Sequence, residues 1–303
     1  MERKKNRVEL LFIIGFLFTL IIAFGTFFLG LRIGMDKTEA KYAYLKAVPP
    51  EDETSVSYQQ QDLVTFYYIV FQPYQQFKED YLAYVEDISR NKSHSEINDK
   101  LKEIRQTADK QYEQIAAHSI SDSSPLLKEA QTDFLKSLKL FKDSIGQVKS
   151  GDLNGSTVAD MLASDTFTKN AKLFGLQAQK KYYSSILKWT AKTNSTVPSN
   201  ISYRNDITIK EWSKFSLSVK NKMVTDIMTN DKLFVSYLPQ DLTAKIDQMI
   251  QSGKAKSLKL DSVSAIVKVL TETEAVKGKE FSKWKSAYYS SESLPELPFF
   301  TED

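Results

Sequence analysis

Cysteine occurs nowhere in this sequence. That excludes disulfides, thiolate metal sites, cysteine nucleophiles and a lipidated-cysteine anchor. Histidine is nearly missing, with only His94 and His118, and no H-x-x-x-H or carboxylate spacing makes a metal site of the pair. Glycine and proline are sparse, 10 and 8 in 303 residues, which favours long helices over a sheet with many tight turns. Charge of one sign is missing too. The net charge is +3, and Lys is interleaved with Asp and Glu, so no basic stripe marks a nucleic-acid partner.

What is present describes a folded chain. Hydrophobic residues make up 42% and charged residues 26%, and the length is enough to bury a sizeable core. A cysteine-free exported chain suits a Gram-positive envelope.

One long hydrophobic run decides the expected location. Leu10 to Leu31 reads LLFIIGFLFTLIIAFGTFFLGL, with no charge between Glu9 and Arg32. As a helix it would span about 33 Å, close to the thickness of a bilayer's hydrocarbon core. Arg3, Lys4, Lys5 and Arg7 precede it, so the positive-inside rule keeps the N-terminus cytoplasmic. The run is too long for the apolar region of a cleaved signal peptide and lacks an A-x-A-like site, so it reads as an uncleaved signal anchor in contact with the lipid bilayer. A tail of residues 1–9 would stay inside, with everything after the 10–31 span outside. Gly30 and Gly34 form a G-x-x-x-G at the outer end, a spacing that permits close helix packing and a homodimer.

Residues 32–58 carry charges and Pro49-Pro50, and read as a stalk. Leu63, Tyr67, Val70, Tyr74, Phe77, Tyr81, Tyr84 and Ile88 then alternate by four and three residues, which places them on one stripe of a helix. Gln75, Lys78, Glu79, Glu86 and Asp87 take the opposite face. Pro73 is expected to kink this helix without ending it.

Three more amphipathic segments follow. Ser93 and Glu96 have capping-box spacing before Ile97, Leu101, Ile104, Ala108, Tyr112 and Ile115. Ser124-Pro125 opens a helix carrying Leu127, Phe134, Leu138 and Phe141. After a loop, KSGDLNGST, the fourth carries Phe167, Ala171, Phe174, Ala178, Tyr182, Ile186 and Trp189. Four such helices predict a bundle over 59–191.

A polar linker over 192–206 precedes a smaller helical region over 207–290. There Thr208 and Glu211 cap a helix running through Trp212, Phe215, Val219, Met223 and Ile227. Pro239 and Gly253 bracket a second helix, Asp261 caps a third, and Val276 to Tyr288 holds a fourth. Residues 291–303 read as an extended tail. The expected fold class is all-α: one N-terminal transmembrane helix, an extracytoplasmic four-helix-bundle-like region and a second, smaller helical region.

Motifs for chemistry fail one by one. Gly146 to Gly151 has phosphate-loop spacing, but Asp152-Leu153 stands where Lys and Ser/Thr are needed. Asp152, Asn154 and Ser156 imitate a calcium loop until Thr157 takes the glycine position and Ala163 the glutamate position. Glu79-Asp80 and Glu86-Asp87 are adjacent on a helix and do not face each other. No catalytic residue, cofactor or metal is expected. The tyrosine-rich stripe, represented by Tyr67, Tyr74, Phe77, Tyr81 and Tyr84, is either core or a ligand groove. The expected function is that of a single-pass envelope protein holding protein partners in the membrane or envelope. The alternative is a ligand-binding sensor signalling through a separate membrane partner.

Overall fold

The computed structural model describes residues 57–91, 93–148, 151, 153–201 and 203–301. The expected span 10–31, with Gly30 and Gly34, and nearly all of the stalk lie outside the described residues. Among the described residues no helix is long and apolar enough to cross a membrane. The described chain is all-α, with no strand and a single isolated bridge between Thr208 and Ser262. All described residues fall within one compact unit.

The first rod consists of α1 (Gln60–Phe66), a π turn (Tyr67–Phe71) and α2 (Gln72–Arg90), joined without a break. Pro73 explains the π turn. Proline lacks an N–H, and its ring collides with the carbonyl four residues earlier, here that of Ile69. A wider turn just before it absorbs the conflict. The extra residue in that turn also shifts the stripe. Leu63, Phe66, Val70, Phe71, Tyr74, Phe77, Tyr81 and Ile88 are buried, while Tyr67 and Tyr84 are only half-buried.

Helices α3 (His94–Ala116), α4 (Pro125–Gln147) and α6 (Thr166–Thr193) complete a bundle with this rod. Ser93 caps α3 by accepting from the Glu96 N–H. The Ser124 hydroxyl does not cap α4. It donates to the Ser57 carbonyl and to Asp62, tying the start of α4 to the start of α1. Aromatic rings fill the space between α2 and α4, with Tyr74 4.2 Å from Phe134 and Tyr81 4.4 Å from Phe141. Burial at roughly 25 cal/mol per Å² of apolar surface makes this seam a main source of stability.

A fifth element begins at the end of the expected loop. The segment Gly155–Ser164 forms α5, capped by Asn154, whose side chain accepts from the Thr157 N–H. The Asn154 that imitates a calcium ligand is therefore a helix cap. Gly155 is required by closeness, since a Cβ there would stand 1.8 Å from the Ile88 carbonyl oxygen. Helix α6 buries two faces. Ala171, Ala178, Tyr182 and Ile186 face the bundle core, and Leu176 and Leu187 join a second core. Phe167, placed on its apolar stripe by spacing, is exposed.

The second core is built from shorter pieces. The Thr208 capping box forms as expected, but the helix it opens is only α7 (Ile209–Trp212), and a new helix, α8 (Leu217–Asn230), begins after Ser216. Next come α9 (Pro239–Gln251), α10 (Lys254–Ser257) and α11 (Val263–Glu272), whose cap is Ser262 and not Asp261. Helix α12 (Glu280–Tyr288) leaves Val276 outside it. Residues 292–297 have no regular structure, and α13 (Pro298–Thr301) closes the chain. Phe281, Tyr289, Leu297 and Phe300 belong to the bundle's core cluster, so this half docks on the bundle.

Candidate functional site

The five stripe residues do not form one site. Tyr74, Phe77 and Tyr81 are core residues, at most 1% exposed. The Tyr74 hydroxyl lies 2.7 Å from Ser137 Oγ, and Ser137 in turn donates to the Ala171 carbonyl. Burial raises both tyrosine pKa values, that of Tyr81 to about 12. Tyr84 lies under the Lys100 ammonium, 5.6 Å from its ring centre, and is bonded to Glu103; that bond is the main cause of its pKa rising to about 12. Tyr67, turned outward by the π turn, lines two cavities.

Two adjoining cavities, of about 260 and 170 Å³, share Tyr67, Glu79 and Leu238 in their walls. One side is the polar face of α2, where Gln72, Gln75, Gln76 and Glu79 repeat at helical spacing. The other side is the start of α9, with Gln240 and Asp241, and the start of α12, with Lys279 and Phe281. Pro298 and Phe299 of α13 close one end. The Phe299 ring lies 5.5 Å from Tyr67 and stacks on Tyr183 at 6.0 Å.

The polar groups along this cleft are unusual. Gln75 is 8% exposed, and among the described residues neither its Nε2 nor its Oε1 has a hydrogen-bond partner. Leaving a buried amide unmatched costs about 1–3 kcal/mol per group. One turn on, Lys78 is buried further, at 3% exposed, with its ammonium 5.9 Å from the centre of the Phe234 ring. Burial holds that amine down at about 8, against the opposing pull of Glu79 and Asp241. Burial also pushes the Asp241 carboxyl up, although it accepts from the Phe281 and Leu238 N–H groups. Gln240 accepts from the Tyr183 hydroxyl.

No family model, curated protein or solved structure matches this chain.

Sequence spacing placed Gln75 and Lys78 on a solvated face. The structure buries both because Phe234 and Leu238, from the second half, cover that face. The local signal was weak: Gln72, Gln75 and Gln76 are uncharged, but Lys78 and Glu79 follow on the same face. The remaining candidates lie elsewhere. His94 and His118 are exposed at opposite ends of α3, roughly 35 Å apart at 1.5 Å per residue, and cannot share an ion. Among the described residues no group of three or more His, Asp or Glu could hold a metal. Glu86 pairs with Arg90, and Asp87 with Lys100.

Proposed function

We propose that this chain is a single-pass, membrane-anchored protein of a Gram-positive-type cell envelope, whose outer helical unit works by holding protein partners. The 10–31 run supports the tether, and the cleft over α2 supports the holding. One observation carries the reading: a cleft along α2, walled by Tyr67, Glu79 and Leu238 and lined by Gln72, Gln75 and Gln76, offers the mix of apolar and polar groups that a protein partner buries. The rival, a small ligand held in the bundle interior, has less support because the rings of Tyr74 and Tyr81 are packed directly on Phe134 and Phe141.

Photocrosslinking in native membranes tests the proposal. A photoreactive residue at exposed Gln76, on the cleft rim, should give a discrete adduct, and one at exposed Lys110 on α3 should not. The adduct should persist when residues 10–31 are replaced by an unrelated span. An adduct that vanishes with the native span would move the action into the membrane helix. No adduct at Gln76 in either form would end the proposal.

A further inference from the structure

We infer that the corner around α10 docks on an anionic lipid surface. Lys254, Lys256 and Lys259 meet the phosphate headgroups, and Leu258 enters between them. This rests on the membrane-anchored reading above, and the surface is distinct from the cleft on α2.

Gly253 and Lys259, at φ 74° and 55°, turn the chain on either side of the short helix α10 and set it out as a corner. Ala255 is buried there, while Lys254, Lys256, Ser257, Leu258 and Lys259 are exposed. Leu258, 49% exposed, is one of only four large apolar side chains left exposed among the described residues. None of the three lysines forms an ion pair among those residues. Over residues 248–262 the one acid facing them is Asp261. The neighbouring α7, whose Ile209 N–H donates to the Asp261 carbonyl, adds exposed Lys210, and Lys214 follows it. The acids there, Asp206 and Glu211, both pair with Arg204. Cation is left in excess on this surface.

Its place in the fold points to the partner. Lys192, in the last turn of α6, reaches Ser57 at 3.5 Å, so α6 ends where the described chain begins. Thr190 meets Ser218 in the first turn of α8, and Lys220 pairs with Asp247 in the second half of α9. Gln240, near the start of α9, instead meets Tyr183, about two turns back along α6. Helix α9 therefore runs toward the Ser57 end and delivers α10 there, at the end where the chain arrives from the 10–31 run. A tethered unit needs only a weak contact, because its anchor supplies a high effective concentration. Four side chains on one short corner fall short of the roughly 800 Å² per partner that a stable protein interface buries. No aromatic residue lies between 248 and 262 on which a nucleic-acid base could stack. Lysines flanking an exposed leucine suit a charged headgroup layer over an apolar interior.

The chain lacks cysteine, so Ser257→Cys and, at the opposite end on α5, Asp160→Cys each give a single labelling site at an exposed position. The full chain, carrying an environment-sensitive dye at one of them, is reconstituted into vesicles of phosphatidylcholine alone or mixed with phosphatidylglycerol. With phosphatidylglycerol the dye at position 257 should shift to the blue, and the dye at position 160 should not. Lys254→Gln, Lys256→Gln and Lys259→Gln should each lower the ratio of docked to free protein about fivefold. Leu258→Ser should lower it too, and none of the four should move the melting temperature, since all four side chains are exposed. No phosphatidylglycerol-dependent shift at 257, an equal shift at 160, or a shift untouched by the lysine substitutions would overturn the inference. So would a shift produced in detergent by soluble polyphosphate when the vesicles produce none. Flotation with pure phosphatidylcholine vesicles after alkaline washing reads the anchor separately. A chain that floats without a dye shift keeps its anchor and loses the docking. A chain that fails to float there but shifts with phosphatidylglycerol loses the anchored reading and keeps the docking.

Discussion

The indole Nε1 of Trp212 donates to Asp247 Oδ1 at 2.7 Å, deep between α7 and α9. The same carboxylate accepts from the Lys220 ammonium at 2.9 Å and from the Tyr289 hydroxyl at 2.6 Å. One buried acid thus joins α7, α8, α9 and the end of α12. Burial of the Tyr289 hydroxyl, followed by the Asp247 charge and its hydrogen bond, pushes the Tyr289 pKa far above the usual range.

Asp247→Leu should cost about 3–5 kcal/mol, because it strands the nearly buried Lys220 ammonium. Adding Lys220→Met should recover a large part of that loss. Urea titration of the three variants measures it. A single-variant loss below about 1 kcal/mol would deny the carboxylate its joining role.

Gly175 lets α6 approach the Tyr74 hydroxyl, since a Cβ there would stand 2.0 Å from that oxygen. Gly175→Ala should destabilise by about 1–3 kcal/mol through overpacking. In the Tyr74→Phe background the same change should be milder but still unfavourable, because the ring carbon Cζ would remain at 2.9 Å. A double-mutant cycle by thermal melting reads the coupling. Strict additivity would place the clash elsewhere.

Lys78 predicts a pH dependence with a definite sign. Its amine titrates at about 8 when folded and near 10.5 when unfolded. Between those values the unfolded chain binds more protons, so stability from this group rises with pH, by at most about 3 kcal/mol. Below pH 8 the contribution is constant and unfavourable. Lys78→Met should therefore stabilise the protein at pH 7, and its advantage should shrink by pH 9.5. Buried Tyr81 and Tyr237, raised to about 12, work the opposite way above pH 10. Denaturant titrations of both forms at the two pH values decide it, and an advantage independent of pH would refute the assignment.

Phe300, 1% exposed beside Phe281, anchors the C-terminal turn on the bundle core. Phe300→Ala should cost about 3–5 kcal/mol and speed proteolysis of the tail. Limited proteolysis with a melting curve measures both. An unchanged melting temperature would mean that the tail adds nothing to the fold.

The sequence by itself determined the local grammar of this protein. Periodicity placed the four long helices. Thr208 formed its capping box and Ser93 the cap alone, its Glu96 accepting from Asn91 instead. Pro125 and Pro239 opened their helices, and Gly253 closed one with its positive φ. These signals are short-range, resting on backbone groups within a turn of the residue that satisfies them. The tertiary structure alone decided what depends on distant neighbours. The π turn moved Tyr67 out of the core and brought Phe66 and Phe71 in, a shift that a fixed 3.6-residue period cannot represent. Helix α5 exists because Gly155 fits against the carbonyl of Ile88, and that contact is invisible in a loop of small polar residues. Gln75 and Lys78 looked solvated because a helix's pattern reveals only how its faces differ. Which face meets solvent was decided by Phe234 and Leu238, more than 150 residues away in the chain.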